Sequence, residues 1–216
     1  MIHHTTIPMP DPAVNADGFR AAMRLVPSPV SIVTANDEQG MPRGLTCSAV
    51  CSLSMAPPSM LVCVNRRNHS LDAIRTSGGF MVNLLRAGCD ETSETFASPS
   101  ASKFASIPWR PSPVSGLPIV LDALAFVDCG LQAEIHAGTH AILIGLVRGS
   151  GTSGEDDGPL VYWRRSYGRW AAPDWPGPPA AASDWPGPSA AASDWPGPSA
   201  AAQPTLDGAR LDGSTA

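Results

Sequence analysis

Two runs of β-branched residues flank a stretch of small side chains, and this arrangement restricts the chain to a sheet-based fold. The runs occupy residues 30–34 and 60–64, and each is typical of a buried strand. Between them, residues 44–58 have the sequence Gly-Leu-Thr-Cys-Ser-Ala-Val-Cys-Ser-Leu-Ser-Met-Ala-Pro-Pro. Hydroxyls and thiols on small side chains dominate this stretch, which is unusual for a strand.

The small-residue stretch, residues 44–58, is nevertheless predicted to contain a strand from Arg43 to Leu53. Because successive side chains alternate along a strand, one face of the stretch carries four hydroxyls, those of Thr46, Ser48, Ser52 and Ser54. Such a face is either solvated or lets a flat polar ligand approach the backbone closely. The pattern alone leaves both interpretations open.

The same kind of pattern predicts the other elements of the fold. Further strands are predicted at Val30–Ala35, Met60–Asn65, Phe80–Leu85, Ala123–His136, Ala141–Arg148 and Leu160–Trp163. Short helices are predicted at Ala16–Leu25, Leu71–Thr76 and Asp90–Ala97. Hairpin spacing between the strands favours an antiparallel barrel over a parallel α/β sheet. The chain has neither GxGxxG nor GxxxxGKS, so a Rossmann or P-loop nucleotide site is not supported.

Composition excludes several classes of function. The net charge of −5 gives no electrostatic attraction to nucleic acid, and no apolar run approaches the ~20 residues needed to cross a bilayer. The five cysteines are odd in number and form no CxxC pair, which is typical of reduced thiols in a cytoplasmic protein rather than of a zinc site. We therefore expect no nucleic acid partner, no membrane span and no metal.

Changes in composition along the chain predict its domain organisation. Residues 1–14 are polar and Pro-rich and are expected to form a flexible arm, and residues 15–170 are expected to form one folded domain. Residues 171–216 contain three ten-residue repeats that start at Pro173, Ser183 and Ser193. Their Pro and Gly content predicts a disordered, low-complexity tail.

The loop Arg66-Arg67-Asn68-His69-Ser70 is a candidate binding site for a charged ligand. It combines two arginines with the predicted N-terminus of a helix, which suits an anion. The alternative is a solvated turn with an ordinary helix cap. No Ser-His-Asp, Cys-His or paired-carboxylate motif accompanies the loop, so any chemistry would have to come from a cofactor.

Seven segments, in order, resemble the flavin reductase family, which supplies reductase components to two-component flavin-dependent monooxygenases. They are Gly44–Pro58, Ser70–Leu85 with its FxVNxL-like strand, the aromatic series Phe96, Phe104 and Trp109, Gly116–Pro118, Asp128–Cys129, Gly138–His140 with the following strand Ile142–Val147, and Pro159–Tyr167. The resemblance covers about residues 17–170. Two departures concern the nicotinamide side: the chain has Thr139 where the family has Asp, and Trp163 where the family has Tyr.

The resemblance implies a mainly β fold, an antiparallel split β-barrel of the Greek-key, FMN-binding type with short peripheral helices. It also implies a homodimer with flavin near the subunit interface, hydride transfer from NADH or NADPH to FMN or FAD, and release of reduced flavin to an oxygenase partner. The alternative is a barrel protein that binds flavin or recruits partners without catalysis.

The resemblance further implies which residues contact each ligand. Flavin would be bound by Thr46, Cys47 and Ser48 at the ring, Ser52 or Ser54 beside it, Cys63 and Val64 at the ring or ribityl chain, Asn68, His69 and Ser70 with Arg66 and Arg67 at the phosphate, and Glu94 and Thr95 at the distal part. The nicotinamide side would be formed by Gly44, Leu45, His140 and Trp163. His140 could instead be a hairpin-turn residue, and Trp163 could instead pack in the core.

Overall fold

The structure of the chain is a computed structural model that describes residues 2–8, 15–100, 102–154 and 158–170. These residues form thirteen strands and three α-helices, which confirms the mainly β prediction. The helices are α1 (Ala16–Met23), α2 (Ser70–Ser77) and α3 (Asp90–Ala97), and a 3₁₀ turn covers Lys103–Ala105. The strands are β1 (His3–Ile7), β2 (Ser28–Pro29), β3 (Ser31–Asn36), β4 (Pro42–Cys47), β5 (Val50–Met55), β6 (Pro58–Asn65), β7 (Gly79–Leu85), β8 (Trp109–Pro111), β9 (Pro118–Val120), β10 (Ala123–Ala137), β11 (His140–Thr152), β12 (Leu160–Trp163) and β13 (Ser166–Arg169). The predicted tail at residues 171–216 lies outside the described residues.

The largest sheet has the order β4–β3–β7–β10–β11–β6–β5, and β1 joins it beside β10. All of its pairs are antiparallel except that of β1 with β10. Its two end strands, β4 and β5, are separated in sequence only by Ser48 and Ala49, and the Ala49 carbonyl accepts a hydrogen bond from the Cys63 N–H of β6 at 3.0 Å. In the part of the chain that the structure describes, no ladder joins β4 to β5. The antiparallel prediction is therefore confirmed, whereas the sheet is not closed into a barrel.

The small-residue stretch is not the single strand that its pattern predicts. Its first part is β4, which pairs with β3, and its second part is β5, which pairs with β6. The prediction of one polar face from Thr46 to Ser54 is therefore wrong, because the corner at Ser48 and Ala49 sends the two halves to opposite ends of the sheet order. Alternation did not reveal this corner, since small side chains on both sides of it fit a continuous strand equally well.

The predicted N-terminal arm is wrong for residues 3–7, which form β1. This strand pairs in parallel with the last part of β10, from Ala133 to Ala137. The pairing of β10 with β7 ends at Gly130, so β1 occupies an edge of β10 that would otherwise leave backbone groups without partners.

Two apolar clusters hold α2 and α3 against the sheet. Helix α2 buries Leu71 and Ile74 in a cluster with Phe80 of β7, and α3 buries Phe96 in a second cluster with Ile32 and others. Full burial of side chains of this size stabilises a fold by about 1.5–3 kcal/mol each. These anchors determine where α2 begins and where α3 ends, and both ends border the candidate site.

The observed helices are eight residues long each, and none of those in the described residues is both long and apolar enough to cross a membrane. Helix α3 has the predicted bounds, and Asn15 caps α1, its side chain accepting a hydrogen bond from the Asp17 N–H at 2.8 Å. The sequence-based helix predictions are thus confirmed to within two residues at each end.

Candidate functional site

A cleft of about 800 Å³ lies where three segments of the chain converge. Its first wall comes from the β3–β4 hairpin (residues 37–44), and its second from the loop before α2 and the helix itself (residues 67–76). The third wall comes from the segment after α3 (residues 97–100 and 103–104). This volume lies within the ~300–1,000 Å³ typical of small-molecule sites.

The start of α2 forms the most regular part of the cleft. The Asn68 side chain accepts a hydrogen bond from the Ser70 N–H at 2.9 Å, and the Asn65 side chain accepts one from the Arg67 N–H at 2.9 Å. These two bonds order the turn that leads into α2, whose N-cap residue is His69, and the structure places Arg67, Asn68, His69 and Ser70 together on the cleft wall. A helix N-terminus carries partial positive charge, so this wall is suited to an anion.

Arg66 points away from its neighbours in the loop and toward the β10–β11 turn. Its N–H donates to the Thr139 carbonyl at 3.0 Å, and its guanidinium donates to the Gly138 carbonyl at 3.4 Å. The structure therefore gives Arg66 a role in holding the loop to the turn, and it is Arg67 that lines the cleft.

The hairpin wall contains an ion pair between Asp37 and Arg43. The Asp37 carboxylate accepts from Arg43 Nε at 2.8 Å and lies 2.7 Å from Arg43 Nη2. Desolvation opposes ionisation of Asp37, but hydrogen bonds from the backbone N–H groups of Met41 and Gln39 and from Arg43 outweigh it and lower its pKa. Both charges of this pair are therefore compensated within the hairpin.

Lys103 on the third wall is a cleft residue that the sequence analysis missed. Its ammonium donates to the Gly44 carbonyl at 3.1 Å and to the Phe96 carbonyl at 2.8 Å, and burial lowers its pKa. The sequence contains one indication of its position, because Lys103 directly precedes Phe104 of the aromatic series. An isolated lysine in a loop, however, has no characteristic spacing by which to identify it.

Fewer residues of strand β4 are accessible to a ligand than its small side chains suggest. A Cβ on Gly44 would lie 2.7 Å from the Phe96 ring, so the missing side chain accommodates Phe96 rather than a ligand. Leu45 and Cys47 are 6% and 5% exposed and belong to the core. Their side chains cannot line a ligand, so the predicted contacts of these two residues are restricted to the backbone. Thr46 is half-buried and donates to the Ser93 carbonyl of α3 at 2.6 Å.

The residues predicted on β5 and β6 differ in accessibility. Ser48 and Ser52 are exposed, Ser54 and Cys63 are half-buried, and Val64 is fully buried. Alternation along β6 turns the Val64 side chain into the core, so its predicted contact with the flavin is restricted to the backbone. The opposite face of β6 carries Cys63.

Helix α3 connects β4 to the C-terminal hairpin. The Ser93 hydroxyl and the Tyr167 hydroxyl of β13 are 3.0 Å apart, and the Ser93 carbonyl accepts the hydrogen bond from Thr46. Of the two predicted ligand residues on α3, Glu94 is exposed and Thr95 is half-buried. Tyr167, the last residue of the family-like C-terminal segment, thus stabilises α3 beside β4.

The predicted nicotinamide residues lie on separate strands of the chain. His140 begins β11, is exposed, is paired with Asn65 of β6 and contacts the Thr139 hydroxyl at 2.9 Å. Trp163 lies in the three-stranded sheet β13–β12–β2, where its indole donates to the Leu25 carbonyl at 3.1 Å. It is 45% exposed, which argues against core packing. Within one chain, His140 is on β11, Trp163 is on β12 and Gly44 is on β4. Trp163 therefore lies in a different sheet from the other two residues.

Neither a metal cluster nor an activated buried thiol is found among the described residues. They contain no cluster of three or more His, Cys, Asp or Glu side chains suited to a metal ion. Burial raises the pKa of the Cys47, Cys63 and Cys89 thiols and raises that of Cys129 to about 12, so these groups stay protonated near neutral pH. The arrangement can bind and orient a ligand, but it does not supply an activated nucleophile.

Known proteins resemble the segment that carries the cleft. A family model for the flavin reductase like domain matches residues 23–171. A flavin reductase (NADH) from Kitasatospora aureofaciens is 44% identical over 158 residues, which are 73% of this chain and 83% of that protein. The reductase subunit HsaB of a flavin-dependent monooxygenase from Rhodococcus jostii (strain RHA1) is 34% identical over 155 residues, 72% of this chain and 78% of that protein. The solved structure of the flavin reductase HpaC complexed with NADP+ has a TM-score of 0.66 and 29% identity, and the match covers 72% of this chain and 98% of HpaC. The family match spans all three walls of the cleft.

Proposed function

Because this chain belongs to the flavin reductase family, we propose that it transfers a hydride from NADH or NADPH to FMN or FAD. The observation that carries the proposal is the cleft wall at the start of α2, where the Asn68 side chain orders the turn before the helix and Arg67 and Ser70 adjoin it. The N-terminal end of a helix carries partial positive charge, and together with an arginine it is a suitable site for the phosphate of a flavin.

Hydride transfer to a flavin needs little acid–base help from the protein. A bound flavin supplies the electron-accepting ring, and the protein has to hold that ring against the nicotinamide in a productive geometry. We propose that the phosphate lies at Asn68, His69 and Ser70, with Arg67 adding charge and Arg66 holding the loop in place. The start of β4, the corner at Ser48 and Ala49, and the exposed part of β5 then form the wall beside the ring.

Each remaining site residue takes the role that its accessibility permits. At the ring we propose side-chain contacts from Thr46, Ser48 and Cys63, backbone contacts from Cys47 and Val64, and supporting contacts from Ser52 or Ser54. Glu94 and Thr95 on α3 face the distal part of the flavin in this proposal. The nicotinamide would meet the backbone of Gly44 and Leu45, with His140 and Trp163 contributed across a subunit interface.

We further propose that the protein acts as a homodimer. Strands β6 and β11 bury Val62, Val64 and Leu143 on one face, yet their other face is also apolar and only half-buried. On that outer face, Leu61 of β6 is the cross-strand neighbour of Ile144 of β11, and Cys63 is that of Ile142. A sheet face left to water is expected to be polar. Helix α2 packs on β3 and β7, and α3 packs on β4 and β3, so the main helix contacts are elsewhere. A second copy of the chain is the proposed cover.

The dimer proposal has a direct test. Ile144→Asp places a charge in the middle of the outer face while Leu143, its neighbour toward the core, is untouched. We expect the wild-type protein to sediment as a dimer and Ile144→Asp as a monomer. The exposed Glu38→Gln variant, in the β3–β4 hairpin, is the matched control and is expected to remain dimeric. A monomeric wild-type protein would contradict the proposal.

Supply of reduced flavin to an oxygenase is the proposed biological role, because the HsaB relative is named as the reductase subunit of a flavin-dependent monooxygenase. The five cysteines are all free, which supports a reducing compartment such as the cytoplasm. We assign the activity to residues 15–170 and none to residues 171–216. A chain truncated after Trp170 is therefore expected to keep full activity.

The experiment that tests the proposed function is steady-state oxidation of NADH and of NADPH with FMN, FAD or riboflavin as acceptor. We expect nicotinamide oxidation that depends on both flavin and protein. Ser48→Trp, which fills the corner between β4 and β5, should lose flavin binding and activity while remaining folded. Binding of flavin without any turnover would support storage or sensing instead, and absence of both would reject the proposed function.

A further inference from the structure

Lys103 is a half-buried cation of the cleft that has no counter-ion among the described residues. Its ammonium contacts two main-chain carbonyls, those of Gly44 and Phe96, and no carboxylate pairs with it among the described residues. An ammonium has three N–H donors, so two carbonyls leave one donor and the whole positive charge without a partner. Burial lowers the pKa of Lys103, as is expected where a cation has lost water without gaining a counter-ion.

The other charges around the cleft are either paired with an opposite charge or exposed to water. Asp37 and Arg43 neutralise each other across the hairpin, and Asp72 pairs with Arg75 at 2.9 Å. Glu38 is exposed on the hairpin, and Arg67 is exposed beside α2. Lys103 is the half-buried cation on the wall formed after α3, and it is held in place by its two carbonyl contacts.

The position of Lys103 separates it from the proposed phosphate site of the flavin. That site lies at the start of α2, on the second wall, whereas Lys103 lies on the third wall and also binds the carbonyl of β4. FMN has one phosphate, which the α2 wall would take. A ligand that also needs Lys103 must carry a further anionic group and enough bulk to extend across a cleft of about 800 Å³.

We propose that Lys103 binds the adenosine-side phosphate of an adenine dinucleotide in this cleft, so that it recognises the ADP moiety that FAD and NADH share and FMN lacks. This inference rests on the proposed function, because it assumes that flavin and nicotinamide nucleotides are the ligands. It adds to that function a residue that discriminates between a dinucleotide and a mononucleotide. A phosphate oxygen would accept the third N–H of Lys103 and compensate its charge.

The test compares Lys103→Met, which keeps the length of the side chain and removes the charge, with Lys103→Arg, which keeps the charge. Dissociation constants of FAD and FMN are measured by quenching of flavin fluorescence, and the KM for NADH is measured with FMN as acceptor. Both variants are first shown to be folded by circular dichroism. FMN affinity serves as the internal control, because any general distortion of the cleft would weaken FMN as well.

Two results would support the inference, and they distinguish the two sources of the ADP moiety. If FAD is the ligand, Lys103→Met raises the Kd of FAD about tenfold or more and leaves that of FMN within about twofold. If NADH is the ligand, Lys103→Met raises its KM by a similar factor with FMN as acceptor. Lys103→Arg should retain at least half of the affinity in either case.

Two other results would overturn it. Equal weakening of FAD and FMN would mean that Lys103 supports the cleft without recognising the ADP moiety. No change in the FAD Kd or in the NADH KM would mean that Lys103 contacts neither ligand. The fluorescence titrations do not depend on turnover, so an enzyme that binds both flavins yet oxidises no NADH would reject the proposed function while still deciding the role of Lys103.

Discussion

Replacing Arg75 with Met should destabilise the protein strongly near neutral pH and much less in acid. Arg75 lies in the last turn of α2, and its guanidinium donates to both carboxylate oxygens of Glu134 on β10, at 3.0 and 2.6 Å. The Glu134 side chain is fully buried, and His136 contacts the same carboxylate at 2.7 Å. Arg75 thus ties the helix that carries the proposed phosphate site to the main sheet.

The size of the effect follows from the pKa of Glu134. Hydrogen bonds from Arg75, opposed by desolvation and reinforced by His136, lower the pKa of this carboxyl from 4.5 to about 2. A difference of this size corresponds to about 3 kcal/mol of stability. The Arg75 side chain is 36% exposed and water screens part of the interaction, so we expect a loss of about 2–3 kcal/mol for Arg75→Met at pH 7.

The dependence on pH has a definite sign. The folded-state pKa of Glu134 is below its ordinary value of 4.5, so its contribution to stability is fully present above that value and is lost as the pH falls toward 2. The difference between wild type and Arg75→Met should therefore shrink to about 1 kcal/mol near pH 3.

Urea denaturation at several pH values measures this difference. The matched control is Arg20→Met, which removes an exposed arginine that also pairs with an aspartate three residues away, Asp17. It should cost less than about 0.5 kcal/mol at every pH. A loss below about 1 kcal/mol for Arg75→Met at pH 7, or a loss that does not change with pH, would refute the assignment of Glu134 as a buried ionised group.

Three further substitutions test the architecture of the site. Gly44→Ala puts a methyl group 2.7 Å from the Phe96 ring and should lower stability by about 1–3 kcal/mol in thermal unfolding. Gly18→Ala on α1 is the control, because a Cβ there meets nothing within 4 Å, and it should not lower stability. Thr46→Val removes the hydrogen bond to the Ser93 carbonyl and should cost about 1 kcal/mol in urea denaturation, with Thr46→Ser restoring most of it; equal stability of the two variants would contradict this. Asn68→Ala removes the hydrogen bond to the Ser70 N–H and should cost about 1 kcal/mol and weaken FMN binding in a fluorescence titration, and FMN affinity equal to wild type would reject the placement of the phosphate.

Local patterns predicted most of the secondary structure because they depend on near neighbours. The bounds of α3 and β12 agree with those predicted. The corner at Ser48 and Ala49 was not predicted, because no Gly or Pro marks it and its stabilising hydrogen bond comes from Cys63 on another strand. Strand β1 was not predicted for the same reason, since its partner Ala133–Ala137 is far away in sequence.

The geometry of the candidate site was predicted better for its loops than for its strands. The loop that precedes α2 contains its own hydrogen-bonding partners, so its geometry follows from a short segment. Which side of β4 faces the core depends on Phe96 and on the second cluster, and these long-range contacts leave no trace in the spacing of small residues. Lys103 joins the cleft only because α3 ends beside β4.

Anaerobic mixing of the protein with oxidised FMN and NADH tests hydride transfer most directly, because reduced flavin cannot be reoxidised by oxygen during the measurement. We predict that the yellow flavin is bleached at a rate that rises with protein concentration, with one NADH consumed for each flavin reduced. Flavin that binds to the protein and stays oxidised in the presence of excess NADH and NADPH would contradict the proposed function.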